Sequence, residues 1–388
     1  MHVVHVAAYY APAFTFGGPP RSIHGLCRAL RAAGCDARVL TTDADGAGRL
    51  PGAVTSLSAY EGVPVRYCRT SWPRRVIGSR DLEVELRATV AGADVVHIHG
   101  LWNRVVWAAA RIASEAGVPY VLSPRGMLDD GSLRHHRWRK RLVYPFTDRR
   151  TVAGAALVHA TSEQEAAGIG RWAPAARVVV IPNGVDAECR DTGVTRRDLG
   201  LPEDDAPLVV SVARLHPVKR LDLLIDAFAT LTVSHPRARL VIAGPDEQGL
   251  RAGLDVRAGR HATAIAWLGA VDAARRDALL RHASVLVMCS DSESFGLSVV
   301  EAMRAGVPVV VADTCGWGRV AEEGAGYVVP QSSLAIAQGI GRVLADPAGA
   351  AAMGLRGRAF ASREFAWPSI ASRFISAYQN LVAPRAAS

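Results

Sequence analysis

Apolar residues along the chain come in short runs that alternate with segments of helical spacing. Val3, Val4 and Val6 make a first strand, and a helix is predicted from about Ser22 to Ala33. Further apolar runs at 39–42, 63–67, 94–99, 119–122, 156–160 and 177–181 read as strands. A turn, Pro182-Asn-Gly-Val-Asp186, and a polar, irregular stretch to about Ala206 interrupt the rhythm. It resumes with strands starting at Leu208, Arg239, Ile265 and Val285, and with a helix that carries Leu221, Leu224, Ile225 and Phe228 on one face. Val309 to Val311 has no alternation and so reads as a strand buried on both faces, the mark of a parallel sheet built from βαβ units. Helices are predicted at 332–345 and 347–362, and a last helix within 365–378.

At 388 residues the chain exceeds what one core serves, so two domains are expected, divided in the irregular stretch. A hydrophobic content of 49% fits a globular enzyme, and no apolar run reaches membrane-spanning length. The first residues read as a strand rather than a secretory leader, which predicts a cytoplasmic protein. Cysteines 27, 35, 68, 189, 289 and 315 form no Cys-x-x-Cys pair, which argues against zinc and suits reduced, buried thiols. The net charge of +9 is uneven: residues 1–190 carry +8 and the remainder +1. No nucleic-acid motif accompanies this charge, so an anionic membrane surface or a phosphorylated acceptor explains it better than nucleic acid.

The most informative stretch runs from Cys289 to Val311. A strand ends in a Ser/Asp/Glu cluster, and a helix starts near Gly296 with Leu297, Val300 and Met303 at helical spacing. Ligands sit beyond the carboxyl ends of parallel strands, and the free N–H groups of a helix start attract phosphate. Phe295, Gly296, Leu297 and Ser298 occupy that point. Glu293 before the helix and Glu301 on its second turn are set to reach different parts of one ligand with phosphates between them, which suits a sugar nucleotide.

The stretch Glu293-Ser-Phe-Gly-Leu-Ser-Val-Val-Glu301, followed by Ala302-Met303 and Gly306-Val-Pro-Val-Val310, resembles the Glu-x7-Glu signature of retaining GT-B glycosyltransferases, especially family 4. The resemblance covers nearly the full length and implies an α/β fold of two Rossmann-like parallel-sheet domains facing a central cleft. The implied division is 1–186 for an acceptor-side domain, 187–364 for a nucleotide-sugar domain, and 365–388 for a terminal helix that returns to the first domain, with Trp367 as its anchor.

Other segments carry the same resemblance in order. Gly17 and Gly18 let the backbone approach a ligand ahead of a helix, and they match the family's glycine loop against donor phosphates and acceptor. His97 and His99 project to one face of a strand; the match to the family's His-x-His places His99 by the transferred sugar and leaves His97 structural. Ser123-Pro-Arg-Gly-Met-Leu128 resembles a loop of many bacterial members, and Arg125 suits an acceptor phosphate or a reacting group or, equally, a structural ion pair. Arg214 and Lys219 stand at a strand's carboxyl end, where positive groups fixed in advance stabilise charge on a departing diphosphate. Their family counterparts contact the donor diphosphate. Lys219 is one of only two lysines against 43 arginines, a bias that favours a required ammonium; Arg220 reads as exterior. Gly244 matches the first glycine of a family Gly-x-Gly turn, with Asp246 replacing the second, and Trp317 stands where the family often has glycine.

These readings together imply a retaining hexosyltransferase with a UDP-sugar or GDP-sugar donor and no cofactor. The acceptor is a saccharide or lipid-linked sugar, and the setting implied is surface polysaccharide or glycoconjugate synthesis. No metal is expected: Asp43-Ala-Asp45 superficially matches the Asp-x-Asp of the other large glycosyltransferase fold, but its Gly-rich setting reads as a solvated turn. A sugar-nucleotide epimerase of the same architecture, which needs no acceptor, and a non-catalytic nucleotide-sugar-binding subunit stay open as alternatives.

The basic stretch from Arg134 to Arg141 has Trp138, Leu142 and Val143 as a narrow apolar stripe. It reads either as a solvated helix face or as a basic amphipathic helix that lies on anionic lipid at the inner face of the plasma membrane. On the second reading, replacing Arg137, Arg139 and Arg141 with Glu abolishes sedimentation with anionic liposomes; unchanged sedimentation removes it.

Overall fold

A computed structural model describes residues 1–71, 76–128, 144–186, 188–189, 191–246 and 248–382. The basic stretch from Arg134 to Arg141 lies outside the described residues. The chain divides into two compact units, Met1–Gly184 with the segment from Trp367 onward, and Val185–Ala366.

The first unit holds an eight-stranded sheet. Its strands are β1 (His2–Ala7), β2 (Asp36–Thr42), β5 (Ala59–Tyr60), β6 (Val63–Cys68), β7 (Val95–His99), β8 (Tyr120–Ser123), β9 (Leu157–Ala160) and β10 (Val178–Val180), in the order β10-β9-β8-β7-β1-β2-β6-β5. All neighbours run parallel except β5, which pairs antiparallel with β6 at the edge. A separate two-stranded ladder joins β3 (Ala44–Asp45) to β4 (Gly48–Arg49). Here Asp43 is buried rather than solvated, because its carboxylate accepts from Thr70 N–H at 2.8 Å and faces Arg49 at 3.6 Å. A carboxylate so paired is a structural tie.

The second unit holds a six-stranded, all-parallel sheet. Its strands are β11 (Leu208–Val212), β12 (Arg239–Ala243), β13 (Ile265–Gly269), β14 (Val285–Met288), β15 (Val309–Ala312) and β16 (Gly326–Val329), in the order β13-β12-β11-β14-β15-β16. β14 and β15 are buried along their whole length, as their unbroken apolar runs require. Each unit is thus a Rossmann-like layer of strands covered by helices, and together they make the α/β class expected.

The first helix starts at Gly18, four residues before Ser22. Pro19 and Pro20 begin it rather than delay it, because the first turn has no internal partner for their missing N–H groups. The final helix, Trp367–Val382, belongs to the first unit and buries Ile370, Ala371, Phe374 and Tyr378. Its first residue fills a notch between Gly25 and Gly184, where an added Cβ would lie 2.2 Å from the indole in each case. Among the described residues no helix is long and apolar enough to cross a membrane.

The notch leaves no room for a side chain. Gly25→Val is therefore expected to lower the Tm by several degrees, the effect of about 1–3 kcal/mol of overpacking. Gly170→Ala, in a helix with nothing within 4 Å of the new Cβ, serves as the control in the same melting experiment and should hold or raise the Tm, since alanine favours a helix over glycine.

Candidate active site

In the second unit the loops after β11 and β14 are sewn together. Asp291 N–H donates to Val218 O at 2.8 Å, Cys289 Sγ donates to Arg220 O at 3.2 Å, and Arg220 Nη1 meets Asp291 Oδ1 at 3.1 Å. Arg220 departs from its expected exterior place. It adopts left-handed backbone with φ 50° and is half-buried, since Asp222 and Asp291 together compensate its charge.

The seam sets Lys219 Nζ on Glu293 Oε1, and Ser290 Oγ donates to the same oxygen at 2.7 Å. Only 17% of the lysine side chain and 9% of the glutamate side chain are exposed. Shielded charges need partners, so the pair is fixed before any ligand arrives. The loop beneath is buttressed in turn: Thr314 Oγ1 donates to Ser290 O at 2.7 Å, and Gln331 Nε2 to Cys289 O at 3.0 Å. Arg214 differs from Lys219. It is exposed, and among the described residues it makes no hydrogen bond or ion pair.

Gly244 sits beside Arg214 in space. An added Cβ would lie 1.9 Å from Ala213 O and 2.8 Å from Arg214 N, so the glycine is what lets the ends of β11 and β12 touch. The Asp246 that replaces the family's second glycine accepts from Leu250 N–H at 2.9 Å and Arg251 N–H at 3.0 Å, and so secures the start of the next helix.

Gly296 precedes the helix Leu297–Ala305 in left-handed backbone, φ 77° and ψ 60°, and, having no side chain, supplies no side-chain cap of its own. Its opening N–H groups therefore offer the kind of anion cradle found at helix N-termini. Trp317 covers the turn: its Nε1 donates to Phe295 O at 2.7 Å, and a Cβ on Gly296 would lie 2.8 Å from the same nitrogen. One turn further along the helix, Glu301 Oε1 meets Arg276 Nη1 at 3.3 Å.

In the first unit Arg125 takes left-handed backbone, φ 57°, and donates to Asn183 Oδ1 at 2.7 Å and His99 Nδ1 at 3.2 Å. His99, 3% exposed, has its Nε2 3.0 Å from His5 Nδ1. Since Arg125 only donates, His99 Nδ1 accepts, its Nε2 carries the proton, and that proton goes to His5 Nδ1. A second path is equally directed. His159 Nε2 donates to Ile181 O at 2.7 Å, so its Nδ1 accepts from Ser123 Oγ at 2.7 Å; Ser123 then accepts from His97 Nε2, and His97 Nδ1 accepts from Tyr378 O–H, both at 2.7 Å. Nitrogens of His5, His97 and His99 lie within 4.8 Å of one another, a spacing a metal can use. Here, though, both nitrogens of His97 and of His99 are engaged in hydrogen bonds, and the Arg125 guanidinium opposes a cation.

All four histidines are held neutral. Burial, with the Arg125 charge second, pushes His5 and His159 down to about 3, and burial puts His97 and His99 well below the usual value. Burial also lowers Arg125.

The structure therefore joins Lys219 to Glu293, His99 to Arg125, and the Arg214 backbone to Gly244. Gly17, with φ 84°, caps the first helix and Gly18 is its first residue. Reading the sequence does not single out His5, Asn183, Arg276 or Tyr378, because their partners lie far along the chain. Asn183, inside the Pro-Asn-Gly turn, and His5, on the first strand, carry the only local hints.

The chain is similar to known proteins. A family model described as glycosyl transferases group 1 matches residues 194–360, and one described as a glycosyl transferase 4-like domain matches residues 17–184. D-inositol 3-phosphate glycosyltransferase 2 of Catenulispora acidiphila is 30% identical over 351 residues, which cover 83% of this chain and 80% of the relative. The GDP-mannose:cellobiosyl-diphosphopolyprenol alpha-mannosyltransferase of Komagataeibacter xylinus is 27% identical over 400 residues, covering 98% and 94%. Among solved structures, Anabaena HepE in complex with UDP and glucose aligns with a TM-score of 0.76 at 21% identity, over 98% of this chain and all (100%) of that one.

Acid should act on the first unit through its histidines. The unfolded chain takes up protons from pH 6.5 downward, while folded His5 and His159 stay neutral to about 3, so stability falls across that window. By pH 4.5 each costs roughly 3 kcal/mol. His5→Asn and His159→Asn are each expected to narrow the gap between urea midpoints at pH 7 and pH 4.5; an unchanged gap contradicts the neutral assignment.

Proposed function

This chain belongs to the family 4 glycosyltransferases of the GT-B fold, and on that premise we propose that it moves a hexosyl unit from a nucleoside diphosphate sugar to an acceptor hydroxyl, with retention of anomeric configuration and without a metal ion. As a member of that family it is an enzyme, a hexosyltransferase. The observation that carries the finer reading is the preset Lys219–Glu293 pair beside the helix start at the left-handed Gly296.

In this reading the donor diphosphate lies at that helix start. The N–H groups around Gly296 to Ser298 cradle it, with Phe295 and Leu297 alongside and Gly244 allowing close backbone approach. Lys219 and the solvent-facing Arg214 take the charge that grows as the diphosphate leaves, where fixed donors contribute most. Glu293, already oriented by Lys219 and Ser290, accepts from hydroxyls of the sugar, and Glu301 accepts from those of the ribose. The family resemblance assigns Gly17 and Gly18 to the phosphates and the acceptor.

The family resemblance assigns His99 to the transferred sugar. Because its ring is neutral and both nitrogens are engaged, we assign it no proton transfer. The departing phosphate is then the group that accepts the acceptor's proton, and reaction on one face of the sugar preserves its configuration.

UDP-sugar and GDP-sugar are the donor classes supported by the UDP and glucose in the Anabaena complex and by the GDP-mannose in the name of the Komagataeibacter relative. The acceptors in the relatives' names, an inositol phosphate and a cellobiosyl diphosphopolyprenol, both carry phosphate. A phosphorylated or lipid-linked saccharide, engaged by Arg125, is the class we assign here, and it supports a role in surface polysaccharide or glycoconjugate synthesis at the cytoplasmic face of the membrane.

A panel of UDP- and GDP-sugars, incubated with and without phosphorylated and lipid-linked acceptors, tests the reading. Nucleoside diphosphate is expected to be released only with acceptor, in the presence of EDTA, and NMR of the product is expected to show the donor's anomeric configuration. Conversion of donor alone would instead indicate an epimerase. Lys219→Ala should lower turnover at least about 100-fold, the typical effect of removing about 3 kcal/mol of transition-state stabilisation; near-native turnover refutes the role given to Lys219.

A further inference from the structure

Around Glu301 the second unit has four charged side chains arranged in alternation. Arg304 Nη2 meets Asp277 Oδ1 at 2.9 Å, Arg276 Nη2 meets the same oxygen at 3.4 Å, and Arg276 Nη1 meets Glu301 Oε1 at 3.3 Å. Exposure falls from 13% and 11% for the side chains of Glu301 and Arg276 to 7% and 3% for those of Asp277 and Arg304. Two helices are bridged: Ala273–His282 supplies Arg276 and Asp277, and Leu297–Ala305 supplies Glu301 and Arg304.

Such a buried array is expensive to desolvate, and apolar residues could hold two helices together as well. The Arg304–Asp277 pair is also complete as a two-membered bridge. Adding Arg276 puts a second guanidinium into the interior, and what it adds is a contact to Glu301. Burial acts against the charged form of Arg276, but Glu301 and Asp277 outweigh it and raise its pKa above the usual arginine value. A permanent cation thus holds one oxygen of Glu301. A carboxylate offers about four acceptor positions, so one ion pair still leaves room for hydroxyl donors.

We propose that Arg276 is a positioning residue: anchored by Asp277, it orients the Glu301 carboxylate for the ribose hydroxyls of the donor nucleotide. The inference rests on the assignment of Glu301 to the ribose given above. It adds that this chain's discrimination between ribose and deoxyribose runs through a residue on a neighbouring helix, 25 positions before Glu301.

Calorimetric titration with UDP, GDP and their 2′,3′-dideoxy counterparts tests this on the whole chain. The native protein should bind at least one ribonucleotide more tightly than its dideoxy form. Arg276→Met is expected to weaken the ribonucleotide about tenfold, the usual scale for one charge-assisted hydrogen bond, and to leave the dideoxy compound unchanged. Arg276→Lys should keep part of the discrimination, which also covers the case in which the methionine variant fails to fold. Arg276→Met combined with Glu301→Gln should lose no more than the greater single loss. A variant that discriminates as the native chain does, or that loses both ligands alike, overturns the role of Arg276 alone. A native protein that binds ribose and dideoxyribose forms equally, or neither, overturns the Glu301 assignment and this inference with it.

Discussion

The second unit depends on a seam. Two loops leave the carboxyl ends of adjacent parallel strands, and left to themselves they would wander independently. Here Asp291 N–H on Val218 O, Cys289 Sγ on Arg220 O and the Arg220–Asp291 bridge tie them into one piece. Parallel strands make this possible, because β11 and β14 are neighbours and end on the same side. The pairing of Lys219 with Glu293 follows from it. Neither side chain would tolerate such shielding alone, and together they form a charged spot whose position is set before a substrate arrives.

The first unit solves a different problem with neutral groups. Four histidines, a serine and a tyrosine occupy its interior, and every proton along the path from Tyr378 to Ile181 O has one permitted direction. Arg125 imposes the direction on the other branch, through His99 to His5. Burial keeps these rings uncharged, so a residue type associated with proton transfer acts here as a rigid polar frame. The frame needs the last helix, since Tyr378 reaches His97 across 281 positions of sequence.

Legibility in the sequence follows the range of the interaction. The strand, loop and helix from Val285 to Ala305 could be read directly, because apolar runs, Gly296 and Gly306 act on their own neighbourhoods. The α/β class followed from the same local signals. What could not be read are the contacts made at a distance. Arg276 on Glu301, Asn183 on Arg125 and Tyr378 on His97 leave no trace in spacing, because either partner would look ordinary on its own helix or loop. Arg220 looked exterior because its second acidic partner, Asp291, is only recognisable once the loops are joined, and Asp43 looked solvated because Thr70 lies 27 positions away.

Trp317 has a bearing on how the loop can evolve. At this position the chain carries an indole that hydrogen-bonds Phe295 O and lies against Gly296. Gly296 is thereby constrained twice over, once by its left-handed backbone and once by the ring above it. A lineage that shed the indole would regain space without regaining freedom of backbone, and one that first changed the glycine would meet both obstacles together. The glycine is thus the more firmly held of the two, and loss of the indole would lift only one of its two constraints.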